Sequence, residues 1–343
     1  MSDGRPSIRD VAARAGVSVT TVSRILNGSY PPAPKTRDKV MRAVQELDYV
    51  ANPHARALTR QGTGTIALVV MMLDDGFLMN LVESIATGVA EAGKLCLIGT
   101  SGGDLDRELA VLRQMHAQHV EAIILVGAVV ESDEYRERMS AFAAQLRQSG
   151  TRLVLCARPP IDPSFQDASV EYDNEGGAYA ATSHLLSRGH RRILLLGGPD
   201  GQSITTRRSI GYRNALRDLG GDLDPSLEIH PAWNRESGYA RMRELLDAGP
   251  PAFTGVLAHT DHVAAGAMQA LRDAGLRVPD DISVVGFNND SFAADLQLTT
   301  VHIPARELGR TAAALAIAPS PTEPHTTLGT HVVIRDTVRA VRR

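Results

Sequence analysis

Between residues 8 and 27 the chain reads Ile-Arg-Asp-Val-Ala-Ala-Arg-Ala-Gly-Val-Ser-Val-Thr-Thr-Val-Ser-Arg-Ile-Leu-Asn. A helix over this end would place Thr20, Arg24 and Asn27 on one face, opposite Val22, Ile25 and Leu26. A hydroxyl, a guanidinium and a carboxamide presented together can hydrogen-bond base edges and phosphate oxygens. Upstream, Ile8, Val11, Ala12 and Ala15 share one helical face, Gly16 breaks the run, and Ser18 stands where an N-cap belongs. Two short helices joined by a glycine turn, the second with a polar outer face, describe a helix-turn-helix that binds DNA.

Charge agrees with this reading. Residues 1–60 hold ten Lys and Arg against five Asp and Glu, whereas the rest of the chain holds 26 against 34. A basic head on an acidic body confines the attraction for phosphates to one end. A third helix is expected from Thr36, as N-cap, to Leu47, with Val40, Met41, Val44 and Leu47 inward and Lys35, Arg37 and Lys39 near its start. Asn52-Pro53 then opens a helix of about two turns, too short to stand alone, and Gly62 and Gly64 mark a domain boundary.

The other candidate chemistries are poor. Gly197-Gly198-Pro199-Asp200-Gly201 follows an apolar run but lacks the G-x-G-x-x-G spacing, and Pro199 removes an amide that a phosphate cradle would use. His259-Thr260-Asp261-His262 lacks the spacing of a metal helix, and no nucleophile elbow is present. Neither catalysis nor a cofactor or metal is expected. Cys96 and Cys156 each lie in an apolar segment and read as core residues in a reducing compartment. The first residues have no apolar stretch of signal-peptide type, and no apolar run approaches the ~18 residues of a membrane span. The expectation is a cytoplasmic protein with no membrane partner.

With 343 residues and 43% apolar content, the chain can build two or three domains. Apolar runs at 66–70, 95–98, 122–126, 153–156, 193–196, 255–258 and 283–287 alternate with helical patterns at 78–92, 105–118, 175–188, 209–219 and 262–274. This rhythm predicts parallel sheets covered on both faces. Periodicity alone does not choose between one long sheet and two lobes.

The residues Ser7-Ile8-Arg9-Asp10-Val11-Ala12, Gly16-Val17-Ser18, Thr21-Val22-Ser23-Arg24, Leu26-Asn27, Lys35-Thr36-Arg37, Asn52-Pro53 and Ala57-Leu58 together resemble the head and hinge of the LacI/GalR family of bacterial repressors. The resemblance implies a helix-turn-helix head over 1–50, a hinge helix over 51–61, and a homodimer on a palindromic operator. It places Val19, Thr20 and Arg24 at base-reading positions and Ser7, Ser18, Thr21, Ser23 and Asn27 on the DNA backbone. Leu58 corresponds to a wedge driven into the minor groove.

Farther on, Asp173-Asn174, Gly189-His190-Arg191, Arg208, Gly211-Tyr212, Asp261, Val285-Gly286-Phe287 and Leu298-Thr299-Thr300-Val301 resemble the same family's effector domain. The implied fold over 62–343 is an α/β periplasmic-binding-protein-like domain of two Rossmann-like lobes joined by three crossovers. The first lobe is expected over roughly 62–160 with a returning segment near 305–320, and the second over roughly 161–304 with the C-terminal tail. Arg208 corresponds to an effector anchor, whose fork suits vicinal hydroxyls or a carboxylate. Trp233, the only tryptophan, corresponds to an aromatic platform against the ligand. Phe77, Thr260, Asp261 and Asn288 complete the expected effector site, while Ala157 replaces a frequent acidic or polar residue. Asp74 and Asp75 are either ligand contacts or solvated loop carboxylates. The implied effector is a small neutral or anionic polar molecule, such as a sugar or related metabolite. Whether it releases DNA or strengthens binding stays open. The tail after Arg335 has no leucine heptads, which favours a dimer.

Overall fold

The computed structural model describes residues 6–27, 33–49, 63–73, 76–162, 164–165, 167–318 and 325–341. The expected hinge at 51–61, with Leu58, and the Asp74-Asp75 pair lie outside these residues.

The head is three helices, α1 (Ile8–Ala15), α2 (Val19–Asn27) and α3 (Pro34–Glu46). Ser7 and Asp10 form a capping box: the Asp10 amide donates to Ser7 Oγ, and the Ser7 amide and hydroxyl donate to the Asp10 carboxylate. Gly16 ends α1 at φ 67°, a left-handed conformation that costs glycine little. Ser18 opens α2 by accepting from the Thr21 amide at 3.1 Å. Helix α3 starts two residues earlier than expected. Pro34, with its fixed φ and no amide to satisfy, takes the first helical position, and the Thr36 and Arg37 amides bond back to the Ala33 carbonyl. Thr36 therefore lies inside the helix and is not its cap. Val11, Ala12, Ala15, Val22, Val40 and Ala43 form the head's core, and an Arg14–Glu46 ion pair ties α1 to α3.

The body holds two six-stranded sheets. The first contains β1 (Thr65–Val70), β2 (Leu95–Thr100), β3 (Ala122–Val126), β4 (Arg152–Cys156), β5 (Ala168–Tyr172) and β11 (His325–Leu328), in the order β11-β5-β4-β3-β1-β2. Its pairings are all parallel. It is covered by α4 (Gly76–Glu91), α5 (Leu105–Ala117), α6 (Asp133–Ser149) and α12 (Ala305–Ile317). The second sheet contains β6 (Ile193–Leu196), β7 (Glu228–Ile229), β8 (Gly255–Ala258), β9 (Ser283–Asn288), β10 (Thr299–His302) and β12 (His331–Val333), in the order β12-β10-β9-β8-β6-β7. Only β12 runs antiparallel, against β10. Its helices are α7 (Asn174–Ser187), α8 (Ser203–Leu219), α9 (Arg235–Asp247) and α10 (Asp261–Asp273), with the short α11 (Ser291–Asp295).

β3, β6, β8 and β9 are wholly buried, and β1 and β4 are buried at all but their first residue, as expected of parallel strands covered on both faces. The chain passes between lobes after β5, after β10 and after β11, which makes three crossovers. The lobe limits expected from the sequence need correction. β5 pairs with β4 and β11 pairs with β5, so lobe 1 runs to Tyr172 and takes back α12 and β11. Glu171 interrupts β5's apolar run, which hid it. One apolar cluster continues from Phe77 and Tyr172 in lobe 1 to Phe287 and Val301 in lobe 2. The other face of each sheet has its own core.

Candidate functional site

On the head, Val19, Thr20 and Arg24 are exposed along α2, Val19 to 41%. An apolar side chain open to solvent beside a threonine and an arginine is a surface suited to base methyl groups and edges. Ser7 and Ser18 are also exposed, but both hydroxyls already serve helix caps, and Ser18 Oγ lies 2.8 Å from Thr21 Oγ1. Each hydroxyl keeps acceptor capacity, whereas the neighbouring amides are what a helix N-terminus offers a phosphate.

Between the lobes lies a cleft of about 730 Å³. Its walls are the loops that follow the strands of both sheets. Met71 and Met72 follow β1, Gly127 and Ala128 follow β3, and Ala157 follows β4. From lobe 2, Pro199 follows β6, Trp233 follows β7, Thr260 follows β8, and Asn288 ends β9. Strand carboxyl ends facing a crevice are where open α/β sheets hold ligands.

Arg208 on α8 is 2% exposed yet borders the cleft. Its Nε–H donates to Asn174 Oδ1 at 2.9 Å, one terminal nitrogen donates to the His259 carbonyl, and the other donates to Tyr172 Oη at 3.1 Å. Its guanidinium carbon lies 3.6 Å from the Phe287 ring centre, a cation–π stack. Because Tyr172 ends lobe 1's β5, this arginine ties the two lobes together. Tyr172 in turn meets Phe77 edge-on at 5.8 Å.

Trp233 precedes α9 and is half-buried over Gly198. Thr260 caps α10 through the Val263 amide and donates its hydroxyl to the Trp233 carbonyl at 3.4 Å. His259 accepts from the Gly198 amide on Nδ1 at 3.2 Å. Its complete burial, then the positive fields of Arg208 and His230, hold its pKa well below the usual histidine range. The ring is neutral.

Asn288 and Asn289 stand at φ 114° and 58°, strained values that turn the end of β9 into the cleft wall. Asp261 is fully buried and does not line the cleft. Its carboxylate accepts from Thr300 Oγ1 at 2.5 Å and from the Asp290 amide at 2.7 Å, which fixes the turn that carries Asn288. Burial raises its pKa to about 6, against the hydrogen bonds from Thr300 and Asp290. Among the described residues, no group of three or more His, Cys, Asp or Glu could hold a metal ion.

Residues 7–52 match the model of bacterial regulatory proteins of the lacI family, and residues 182–338 match a periplasmic binding protein-like domain. The transcriptional regulator CelR of Thermobifida fusca is 34% identical over 97% of this chain and 98% of its own length. The chain belongs to the lacI family of bacterial regulatory proteins. GalS of Salmonella typhimurium is 35% identical over 91% of this chain and 89% of its own length. Among solved structures, a CelR–cellobiose complex superposes with a TM-score of 0.71 at 32% identity, covering 97% of this chain and all of that one. A lac repressor dimer bound to operator and an anti-inducer superposes at 0.84 with 25% identity, covering 98% of this chain and all of that one. Like other lacI-family members, this chain is a DNA-binding transcriptional regulator, with a helix-turn-helix head and a two-lobed body. No helix among the described residues is long and apolar enough to cross a membrane.

Of the cleft residues expected in this lacI-family member, Phe77, Arg208, Trp233, Thr260 and Asn288 come together at one site. Asp261 stands behind it as a turn anchor. Tyr172 and Asn174 were missed, although Asn174 lies in the quoted Asp173-Asn174 motif. They sit on the first crossover, and their link to Arg208 spans more than thirty positions. Met71, Met72, Gly127 and Ala128 carry no motif and become cleft residues only through the fold.

Proposed function

We propose that this chain represses transcription as a homodimer on a palindromic operator and is released by a small polar molecule bound between its lobes. The molecule is neutral or anionic, a sugar or a related metabolite. The carrying observation is the cleft itself: an arginine fork, an indole and an asparagine from lobe 2 converge on it opposite Phe77 of lobe 1. An indole face accommodates the C–H face of a sugar ring, and the amide of Asn288 matches hydroxyl groups. The cellobiose complex of CelR and the operator complex of the lac repressor dimer support the two halves of this reading.

In the free state the two first lobes hold the hinges at operator spacing, α2 reads base edges through Val19, Thr20 and Arg24, and Leu58 wedges the central step. Ser7, Ser18, Thr21, Ser23 and Asn27 register the head on phosphates. Ligand closes the lobes, separates the hinges and lowers operator affinity by its preference for the closed arrangement. The test is a titration of Trp233 fluorescence with sugars, polyols, sugar phosphates and purines, each hit then added to the protein–operator complex. A saturable change with loss of DNA supports release. A hit that tightens DNA binding makes the molecule a corepressor, and a wholly silent panel removes the sugar reading.

A further inference from the structure

Lobe 1 contains a buried ion pair that the effector site does not use. Arg158 follows Ala157 at the cleft wall, and its side chain is 2% exposed, with that of Glu108 on α5 at 9%. The pair is bidentate, with two hydrogen bonds of 2.8 Å. The remaining donor capacity of Arg158 goes to two main-chain carbonyls and one tyrosine hydroxyl. Its Nε–H donates to the Gly127 carbonyl at 3.0 Å, a terminal nitrogen donates to the Ala128 carbonyl at 3.3 Å, and the other lies 3.4 Å from Tyr135 Oη.

Gly127 and Ala128 line the cleft, and the next residues grip lobe 2 directly. The Ser203 amide donates to the Val129 carbonyl at 2.8 Å, the Val129 amide donates to Ser203 Oγ at 3.3 Å, and Val130 bridges Gln202. Ser203 is the first residue of α8, which carries Arg208. A continuous chain of bonds therefore runs from α5 through Arg158 and the loop after β3 to the start of α8.

We infer that the Glu108–Arg158 pair positions the Gly127–Val130 loop as a latch between the lobes, and so governs how firmly the cleft closes. A buried guanidinium and carboxylate are costly to desolvate, and removing one partner leaves the other charge unmatched. Such a pair holds a loop rigidly where two carbonyls also depend on it. Arg158 bonds to the wall and does not itself line the cleft; it is a positioning residue. The consequence for regulation rests on the ligand clamp proposed above, but the latch can be measured without any ligand.

The experiment is hydrogen exchange of the full chain, read by mass spectrometry on fragments spanning 126–130 and 202–206, in Glu108→Gln and Arg158→Lys. Either variant should raise exchange of the latch amides about tenfold while the β8–β9 region and the head keep their protection. Ser203→Ala, which removes only the latch acceptor, should speed the 126–130 fragment alone. Unchanged latch exchange in both pair variants overturns the inference. So does uniform loss of protection throughout lobe 1, or failure of both variants to fold, because either would make the pair a general support of the lobe. Latch loosening with no sugar response at all would leave the latch in place and remove only the ligand reading.

Discussion

A Cβ placed on Gly198 would fall 1.5 Å from Nε1 of Trp233, so the indole rests directly on the main chain of the loop after β6. The same glycine donates its amide to His259 Nδ1 and offers its carbonyl to His230 Nδ1 at 3.1 Å. The glycine-rich run that fails as a phosphate cradle is instead the seat of the Trp233 ring.

Gly198→Ala must displace the indole, because the atoms it meets, Nε1, Cε2 and Cδ1, belong to one rigid ring. Ligand affinity should fall about tenfold, the size of one lost aromatic contact, while operator binding without ligand is retained. The emission maximum of Trp233 should move to longer wavelength as the ring gains solvent. An unshifted spectrum would show that the platform does not depend on this seat.

Arg208 ties the two lobes together and is proposed to anchor the ligand, and its substitutions separate the two roles poorly unless chosen with care. Arg208→Ala leaves Asn174 Oδ1, the His259 carbonyl and Tyr172 Oη without their donor, at a cost of ~1–3 kcal/mol for a group left unmatched. Arg208→Lys keeps the charge but cannot reach three acceptors in one plane. Both should lose the ligand response, with Lys retaining more of the stability in urea. A ligand response intact in the lysine variant would place the anchor elsewhere in the cleft.

The head was legible because its signals are local. Gly16 and Ser18 lie two positions apart, and each acts on its own backbone neighbourhood. Apolar runs such as 122–126 were legible for the same reason. Helix α8 was seen only from 209, because Ser203, Thr205 and Thr206 weaken its apolar period and Gln202 offers no side-chain cap. Helix α6 carries its helical stripe in Tyr135, Met139, Phe142 and Leu146. What no local pattern could reveal was which way a polar side chain faces. Asp261 reads as a ligand contact until β10 places Thr300 beside it, and nothing local to Arg158 points to Glu108, fifty positions earlier.

Asp261 makes stability depend on pH in an unusual direction. Folding raises its pKa to about 6, whereas an unfolded aspartate titrates near ~3.9. Between these values the folded chain holds a proton that the unfolded chain has released, so this group's contribution is most favourable in acid and is lost as pH rises through about 6. Against Asp261→Asn, which cannot titrate, the wild-type chain should lose up to ~3 kcal/mol of relative stability between pH 4 and pH 7. Urea unfolding of both proteins across that range measures it. A constant difference would mean that Asp261 titrates alike in both states.

Arg24 tests the reading of the head. It is exposed on α2 with Thr20 one turn away, where a guanidinium can make a forked contact with a guanine edge. Once an operator is selected from random sequence, Arg24→Ala should cost ~1–3 kcal/mol on that site and relax the preference at one base pair per half-site. The salt dependence of binding should stay close to that of the parent, because a base contact displaces few counterions. Lys35→Ala or Arg37→Ala at the start of α3 should behave in the opposite way, weakening all sequences alike and flattening the salt slope by about one ion. If Arg24→Ala instead weakened every sequence equally and flattened the slope, its contact would be with phosphate, and base reading on α2 would fall to Val19 and Thr20.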